Sequence, residues 1–278
     1  MAFGRRCRAA TVRPTLAALL ALSVAACAGG TGGNVDVRNG SPGADAGPPY
    51  DFTTELMVYG PAIPLKDVAM LTRTAHGYRF RTGQQDSHLM ITIVDGGLRF
   101  VDTGTKSFRK LSTACRRKSL QAGIAAVCPI PVGISARSPL LVEVWPRLGD
   151  DYTDASTLPA TFSVTVLGDK GRDVARLGAG SDFFNGYSNR DLVWGGAGND
   201  WIRAGIGNDA VNGGRGHDDI VAVEGDDSLR GGDGDDRLWS GDGADRLWGD
   251  AGADFLLCGD GRDNVTSDTQ DRIARSCE

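Results

Sequence analysis

Residues 195–239 read GGAGNDWIR AGIGNDAVN GGRGHDDIV AVEGDDSLR GGDGDDRLW, five consecutive copies of one nine-residue unit. The unit runs eleven times without an insertion or deletion, from Gly168 to Thr266. Its sixth residue is always Asp, its eighth is always apolar, and its fourth is Gly in every copy but one, where Asn189 stands. After Gly, Asn most readily adopts a left-handed backbone. A repeat this regular decides the architecture, because every copy must form the same local structure.

The composition of the unit predicts a tight turn followed by a short strand. The Gly-rich first six residues favour a turn, and the last three suffice for a strand whose middle side chain points inward. Two units would complete a coil of 18 residues, and successive coils would stack parallel strands about 4.8 Å apart. The sequence therefore predicts an all-β protein with a C-terminal parallel β-roll solenoid of nonapeptide repeats.

Asp residues 18 positions apart would lie side by side along each edge of this solenoid. Two carboxylates about 5 Å apart repel by roughly 3 kcal/mol at an effective dielectric near 20. A dication between successive turns would offset that repulsion. Carboxylate and carbonyl oxygens are the ligands that calcium takes, whereas zinc prefers nitrogen and sulfur. The rows predict several calcium ions.

The units GGAGND (195–200), GGRGHD (213–218) and GGDGDD (231–236) resemble the calcium-binding nonapeptide of RTX, or haemolysin-type, proteins. The tail from residue 256 also resembles the cysteine-pinned ending of short exported actinobacterial proteins of this kind. The resemblance implies a parallel β-roll in which Asp carboxylates and loop carbonyls hold calcium. The residues that we assign to calcium are Asp182, Gly195, Gly196, Gly198, Asp200, Gly207, Asp209, Gly213, Gly214, Gly216, Asp218, Asp227, Gly231, Gly232, Gly234, Asp236, Gly243, Asp245, Asp254 and Asp263.

The two edges of the predicted roll match the repeat unequally. Units beginning at 177, 195, 213, 231 and 249 alternate with units whose leading Gly pair is broken. We expect tighter calcium binding along the first edge, and no firm site at Asp173 or Asp191, whose units depart furthest from the pattern. The first edge carries Asp182, Asp200, Asp218, Asp236 and Asp254.

The N-terminus is typical of an export signal. Basic residues precede an apolar run from Leu16 to Ala26, which is too short to cross a membrane. Residues 24–27 (VAAC) resemble the bacterial lipobox, which makes residues 1–26 a lipoprotein signal peptide and Cys27 the lipidated residue. The alternative is ordinary secretion after cleavage near Ala28. Residues 27–49, rich in Gly, Pro, Asn and Asp, are expected to form a flexible linker.

Residues 50–140 are expected to form a small β-rich domain. Short alternating runs flank Asp95-Gly96-Gly97, which predicts a hairpin. In an exported chain, Cys115 and Cys128 are best interpreted as a disulfide worth about 3 kcal/mol, with free thiols or a metal pair as alternatives.

Residues 141–278 are expected to form the roll, with regular repeats over 168–266 and a C-terminal cap. The last coil of a solenoid has no neighbour and needs such a cap. A disulfide between Cys258 and Cys277 is well placed to pin it, and two unpaired thiols are the alternative.

Charge and motifs restrict the possible functions. Residues 168–278 carry 12 Lys and Arg against 23 Asp and Glu, whereas the first 167 residues carry 18 against 12. An acidic roll argues against nucleic acid and for cations. Neither HExxH nor GxSxG occurs. Asp102-Thr103-Gly104 matches half of an aspartic protease site, but no second copy exists, so only a homodimer could complete it. The simpler interpretation is a strand that ends in a turn.

These observations predict an extracellular or cell-surface calcium-binding protein that is not an enzyme. We expect a monomer that folds on binding calcium and meets the membrane only through its lipid anchor. The alternative is a calcium-dependent adhesin or glycan-binding module, which would hold a surface glycan or a protein partner with the exposed aromatic residues of the roll. Those aromatic residues could equally pack on the N-terminal domain or the cap. They include Trp194, Trp201, Trp239 and Trp248.

Overall fold

The computed structural model describes residues 66–277, so the predictions for the signal peptide, Cys27 and the linker lie outside the described residues. Residues 66–139 form β1 (Val68–Arg73), β2 (Gly77–Arg81), β3 (His88–Val94), β4 (Gly97–Asp102), β5 (Ser107–Leu111), β6 (Arg116–Lys118) and β7 (Ile124–Cys128). Residues from 140 onward form β8 (Leu140–Trp145), β9 (Tyr152–Asp154), β10 (Phe162–Leu167), β11 (Val174–Arg176), β12 (Phe183–Asn185), β13 (Leu192–Ala197), β14 (Trp201–Arg203), β15 (Ala210–Arg215), β16 (Asp219–Val221), β17 (Ser228–Asp233), β18 (Arg237–Trp239), β19 (Arg246–Ala251), β20 (Phe255–Leu257), β21 (Asn264–Thr266) and β22 (Arg272–Ile273), followed by a 3-10 helix at Arg275–Cys277.

Two sheets of eleven strands each form the described part of the protein. Sheet A has the order β22-β20-β18-β16-β14-β12-β10-β8-β2-β1-β5, and sheet B has the order β21-β19-β17-β15-β13-β11-β9-β3-β4-β7-β6. From β8 onward the chain alternates between the sheets and makes about seven coils of a parallel β-solenoid. The predicted all-β fold and parallel roll are confirmed.

The 18-residue period sets the register of this stack. In sheet A, Ile202 pairs with Ile220, and in sheet B, Val211 pairs with Leu229. The eighth residue of each unit from 168 to 257 points into the core and is at most 3% exposed. One apolar side chain per unit therefore suffices, because each is covered by the opposite sheet and by its neighbours one coil away.

The N-terminal strands continue the same two sheets. β3 and β4 form the predicted hairpin around Asp95 and Gly96, while β2 pairs in parallel with β8, and β3 with β9. A cluster of aromatic side chains fills the core here, and the Phe80 and Phe100 rings stack at 6.2 Å. Residues 66–139 are thus β-rich and share one hydrophobic core with the roll.

One disulfide lies at the β7-β6 end of sheet B, and the other lies after the last strand of the roll. Cys115 bonds to Cys128 on β7, and Cys258 bonds to Cys277 after the last strand. Both predicted pairs are therefore present. Among residues 66–277, no helix has the length and apolar character needed to cross a membrane.

Candidate metal centre

Most turns between the strands of the roll have left-handed backbone at the second and fourth positions of the unit. Gly196 and Gly198 have φ of 102° and 110°. Asn189, the one fourth-position residue that is not Gly, has φ of 80° as predicted. This backbone path turns the sixth residue, Asp, inward beneath the turn.

The Asp side chains form a ladder along each edge of the roll. One carboxylate oxygen, Oδ1, accepts a hydrogen bond from the backbone N–H of the Asp one coil earlier. Asp218 Oδ1 accepts from Asp200 N–H and Asp227 Oδ1 from Asp209 N–H, both at 2.8 Å. The ladder links neighbouring coils and explains why position six accepts only a short acceptor side chain.

The other carboxylate oxygen, Oδ2, is buried without a hydrogen-bond partner. A carboxylate oxygen left unpaired in a protein interior is costly, and the expected remedy is a positive charge. Within the described residues, this holds for Asp151, Asp173, Asp191, Asp200, Asp209, Asp218, Asp227, Asp236, Asp245 and Asp254.

On the first edge, which carries the Gly-Gly pairs and is called the Gly-Gly edge below, backbone oxygens lie beside these carboxylates. A methyl group added to Gly195 would overlap both Asp200 Oδ2 and the carbonyl oxygen of Gly213, in the next coil of the same edge. A methyl group on Gly213 would likewise overlap Asp218 Oδ2. Glycine at the first position therefore keeps open a small space lined by a carboxylate and a carbonyl, which is the donor set that calcium takes.

Burial makes the bare carboxylates hard to ionise. Loss of solvent raises the pKa of Asp236 to about 8, that of Asp227 to about 7 and that of Asp218 to about 6. For Asp236 the neighbouring carboxylates of Asp218 and Asp254 raise the pKa further, while the hydrogen bond from a backbone N–H lowers it. At neutral pH a row without cations therefore carries unfavourable charge.

Side chains alone do not complete a metal site. Over residues 66–277, no three His, Cys, Asp or Glu side chains converge where they could hold one ion. The residues present fit calcium only if backbone carbonyls supplement the carboxylates, as the overlap at Gly195 indicates.

Comparison with known families identifies this arrangement. The family model described as the RTX calcium-binding nonapeptide repeat (4 copies) matches residues 165–193, 185–220 and 221–256. Residues 165–256 are RTX calcium-binding repeats. A sequence comparison with curated proteins finds no match.

The RTX repeats form two structurally different edges. On the Gly-Gly edge, the strands of sheet B run on through the leading glycines, and Gly196 pairs with Gly214 inside β13 and β15. On the opposite edge, Gly168 and Gly186 leave the same space open beside Asp173 and Asp191. From Ala204 onward the first position of that edge holds a buried side chain, as at Ala204 and Ala222. Those side chains fill the space that glycine leaves open. The difference supports two unequal rows of sites, which stays a prediction.

Asp182 differs from the other assigned Asp residues. Its Oδ1 accepts from Val164 N–H and its Oδ2 from Gly178 N–H, both at 2.7 Å. The first position of this RTX repeat is Leu177, whose side chain is buried. Asp182 therefore lacks the unpaired oxygen of its row, and its assignment to calcium stays a prediction.

Three Asp residues outside the assigned set have the same unpaired oxygen: Asp151, Asp173 and Asp191. Asp151 lies in a further turn, where Arg147 and Gly149 have φ of 81° and 126°. The spacing Gly149-x-Asp151 was the available signal. It indicates a degenerate repeat at residues 148–152, although Asp151 and Asp173 are 22 residues apart rather than 18.

Two further Asp residues end the rows. Asp271 Oδ1 accepts from Asp254 N–H at 3.1 Å, although its spacing of 17 lies outside the repeat. At the other end, Asp102 is buried and accepts hydrogen bonds from Ser87 Oγ, Thr105 Oγ1 and backbone N–H groups. The Asp-Thr-Gly motif thus ends a strand in a turn, with its carboxylate engaged.

Proposed function

We propose that this protein is an exported calcium-binding protein, not an enzyme, whose roll folds when it meets extracellular calcium. The observation that carries the proposal is the set of ten buried carboxylate oxygens without a partner. The RTX repeats indicate that the ion is calcium, and the unpaired carboxylate oxygens indicate why the stacked coils need a cation.

Coupling between folding and binding follows from linkage. The ladder of Asp side chains exists only when coils stack, so calcium would bind the folded chain and not the unfolded one. Ions that bind only the folded form stabilise it. Extracellular calcium modules are often tuned to dissociation constants of about 0.1 to 1 mM, so the chain would fold after leaving the low-calcium cytoplasm.

Export and surface tethering rest on the sequence and on the disulfides. Disulfides persist in oxidising compartments, and both pairs within residues 66–277 are formed. Cys27 in its lipobox context would carry the lipid anchor, and the two position-six carboxylates of each coil would then bind calcium at the cell surface.

Circular dichroism of the full mature chain, with calcium and with excess EGTA, tests the folding proposal. We expect strand signal to appear with calcium and to be lost with EGTA, and magnesium to substitute poorly because it demands tight octahedral geometry. Unchanged strand signal on chelation would show that the roll is held without calcium. Mass spectrometry of the exported protein tests the anchor independently, since acylation must vanish in a Cys27→Ser variant.

A second candidate function is calcium-dependent glycan binding through exposed aromatic residues. Trp194 and Trp201 are 40% and 41% exposed. They contact neighbours on their own sheets: Arg176 lies 5.0 Å over Trp194, and Phe183 meets Trp201 edge-on at 5.2 Å. Their remaining exposed surface could stack on sugar rings.

Sheet B also carries an open groove of about 630 Å³ that begins at Asn212, the strand partner of Trp194, whereas Trp201 lies on sheet A. It is lined by polar side chains, among them Asn212, Arg215, Arg230 and Asp233. A glycan array at saturating calcium tests this candidate with Trp194→Ala and Trp201→Ala. Reproducible hits that either variant loses would favour it, and an array without hits would leave calcium binding alone.

A further inference from the structure

The N-terminal end of the roll presents a concentrated positive charge. β5 and β6 are the last strands of sheets A and B there. The Arg117 guanidinium lies 5.6 Å from the centre of the Phe108 ring, so the two strands are neighbours across the roll. We name this surface the basic end; its exposed residues are Arg109, Lys110, Arg116, Arg117 and Lys118.

The acid beside the start of β5, Asp67, is already paired with Lys106 at 2.8 Å, outside the basic end. Residues 96–140 contain eight Lys and Arg and a single acid, Asp102, which is buried and hydrogen-bonded. Within the described chain, none of the five basic-end residues forms an ion pair. Five unpaired cations on two adjoining strands therefore project their field into solvent.

We infer that the basic end binds the surface of an anionic phospholipid bilayer. The described chain begins at this end, because β1 pairs directly with β5. Cys27 lies 39 residues before Lys66, a stretch that spans at most about 140 Å. A lipid anchor there would deliver the basic end to the membrane. The inference rests on the proposed tethering and gives it a second contact.

Positive charge is concentrated at the basic end of the roll, and negative charge is concentrated in the repeats. A contact between the basic end and anionic lipid requires this separation. Residues 168–278 carry 12 basic against 23 acidic residues, an excess of 11 negative charges before calcium binds. Eleven strands at about 4.8 Å make the roll roughly 50 Å long. Bound through its basic end, the roll would stand away from the bilayer with both calcium-binding edges in solvent.

The energetics favour such a two-part anchor. A polybasic patch is a recognised second membrane signal beside a lipid anchor. Each Lys or Arg near an anionic surface contributes about fivefold to binding. Five charges spread over two strand edges suit a flat charged surface.

Vesicle co-sedimentation tests the inference on the mature chain carrying Cys27→Ser, at saturating calcium. One set of vesicles is phosphatidylcholine alone, and the other also contains anionic phosphatidylglycerol. The test variant carries Arg116→Gln, Arg117→Gln and Lys118→Gln. The matched control removes three charges from exposed positions elsewhere on the roll, with Arg203→Gln, Arg246→Gln and Arg262→Gln.

We expect wild type and control to bind only the anionic vesicles, with binding weakened by salt. The test variant should bind on the order of 100-fold more weakly. A second variant, Arg109→Gln with Lys110→Gln on β5, should lose roughly 30-fold, and it keeps the test valid if the β6 variant fails to fold by circular dichroism.

Three results would overturn the inference: no binding of wild type to anionic vesicles, equal losses in test and control variants, or binding to soluble polyanions but not to vesicles. The second result would mean that net charge, not the basic end, governs binding. If Cys27 is not acylated, or if EGTA leaves the strand signal unchanged, the proposed function is refuted. The vesicle experiment can still be interpreted in that case, because its protein carries Cys27→Ser and has no lipid anchor.

Discussion

Replacing Asp218 with Asn should have opposite effects with and without calcium. Asp218 is 1% exposed; its Oδ1 accepts from Asp200 N–H at 2.8 Å, and its Oδ2 has no partner. Asn keeps an acceptor for Asp200 and removes the buried charge. The variant should therefore stabilise the calcium-free roll and weaken the calcium-bound one.

The magnitude follows from the pKa. Burial raises the pKa of Asp218 from 3.8 to about 6, a shift worth about 3 kcal/mol. Because the folded-state pKa lies above the unfolded one, this stability is fully present below about pH 4 and is lost as pH rises through about 6. At about pH 8 in EGTA, the Asn variant should be more stable than wild type by up to about 3 kcal/mol. With calcium, loss of a carboxylate ligand should raise the calcium concentration at which half of the protein is folded by roughly tenfold or more.

Urea unfolding followed by circular dichroism measures both effects, and an osmolyte titration replaces urea if the calcium-free wild type is unfolded. Asp242→Asn, an identical change at an exposed site, is the matched control and should alter neither stability. An Asp218→Asn variant that is less stable than wild type in EGTA at about pH 8 would refute the unpaired-charge argument. If the calcium concentration at half-folding is unchanged, Asp218 is not a calcium ligand.

Acid should partly replace calcium, because burial raises the pKa values of the Asp carboxylates in the rows to between about 6 and 8. In EGTA, the strand signal in circular dichroism should therefore rise as pH falls from about 8 to about 4. A signal that falls instead would contradict this. Equilibrium dialysis should show that alanine on the Gly-Gly edge costs more bound calcium than alanine on the opposite edge, and equal losses would refute unequal rows. The substitutions to compare are Asp200→Ala and Asp218→Ala with Asp209→Ala and Asp227→Ala. Because Asn189 has φ of 80°, thermal melts in calcium should show Asn189→Gly near neutral and Asn189→Val destabilised by about 1 to 3 kcal/mol. Replacing Cys258 and Cys277 by Ser should cost about 3 kcal/mol and raise hydrogen exchange first in the last coil; uniform exchange would argue against a cap.

The sequence predicted the roll because its repeat is local and unbroken. A turn needs only its own glycines, and a strand only one inward apolar residue, so the 18-residue register between Ile202 and Ile220 follows from the period. The hairpin at Asp95 and Gly96 and both disulfides were predictable for similar reasons, since each depends on short spacing or on the end of the stack.

The joining of the N-terminal strands to the roll depends on contacts between residues far apart in the chain. Arg79 pairs with Glu143 at 2.7 Å, and Ser87 N–H donates to Asp151, both across 64 residues. No local pattern marks such pairs. The coil around Asp151 was expected from its degenerate repeat, but the four extra residues before Asp173 place it outside the 18-residue period.

The sequence by itself determined the period, the parallel stack and the class of ion and favoured the cysteine pairs, because these follow from residue types at fixed spacing. Only the tertiary structure decided which carboxylate oxygens remain without a partner. Asp182 and Asp200 occupy the same position of the repeat, yet the Gly178 N–H reaches Asp182, while Gly196, with φ of 102°, makes no such bond to Asp200. The direction of one backbone N–H separates an engaged carboxylate from an open one, and that direction is set by how the chain stacks on its neighbouring coil.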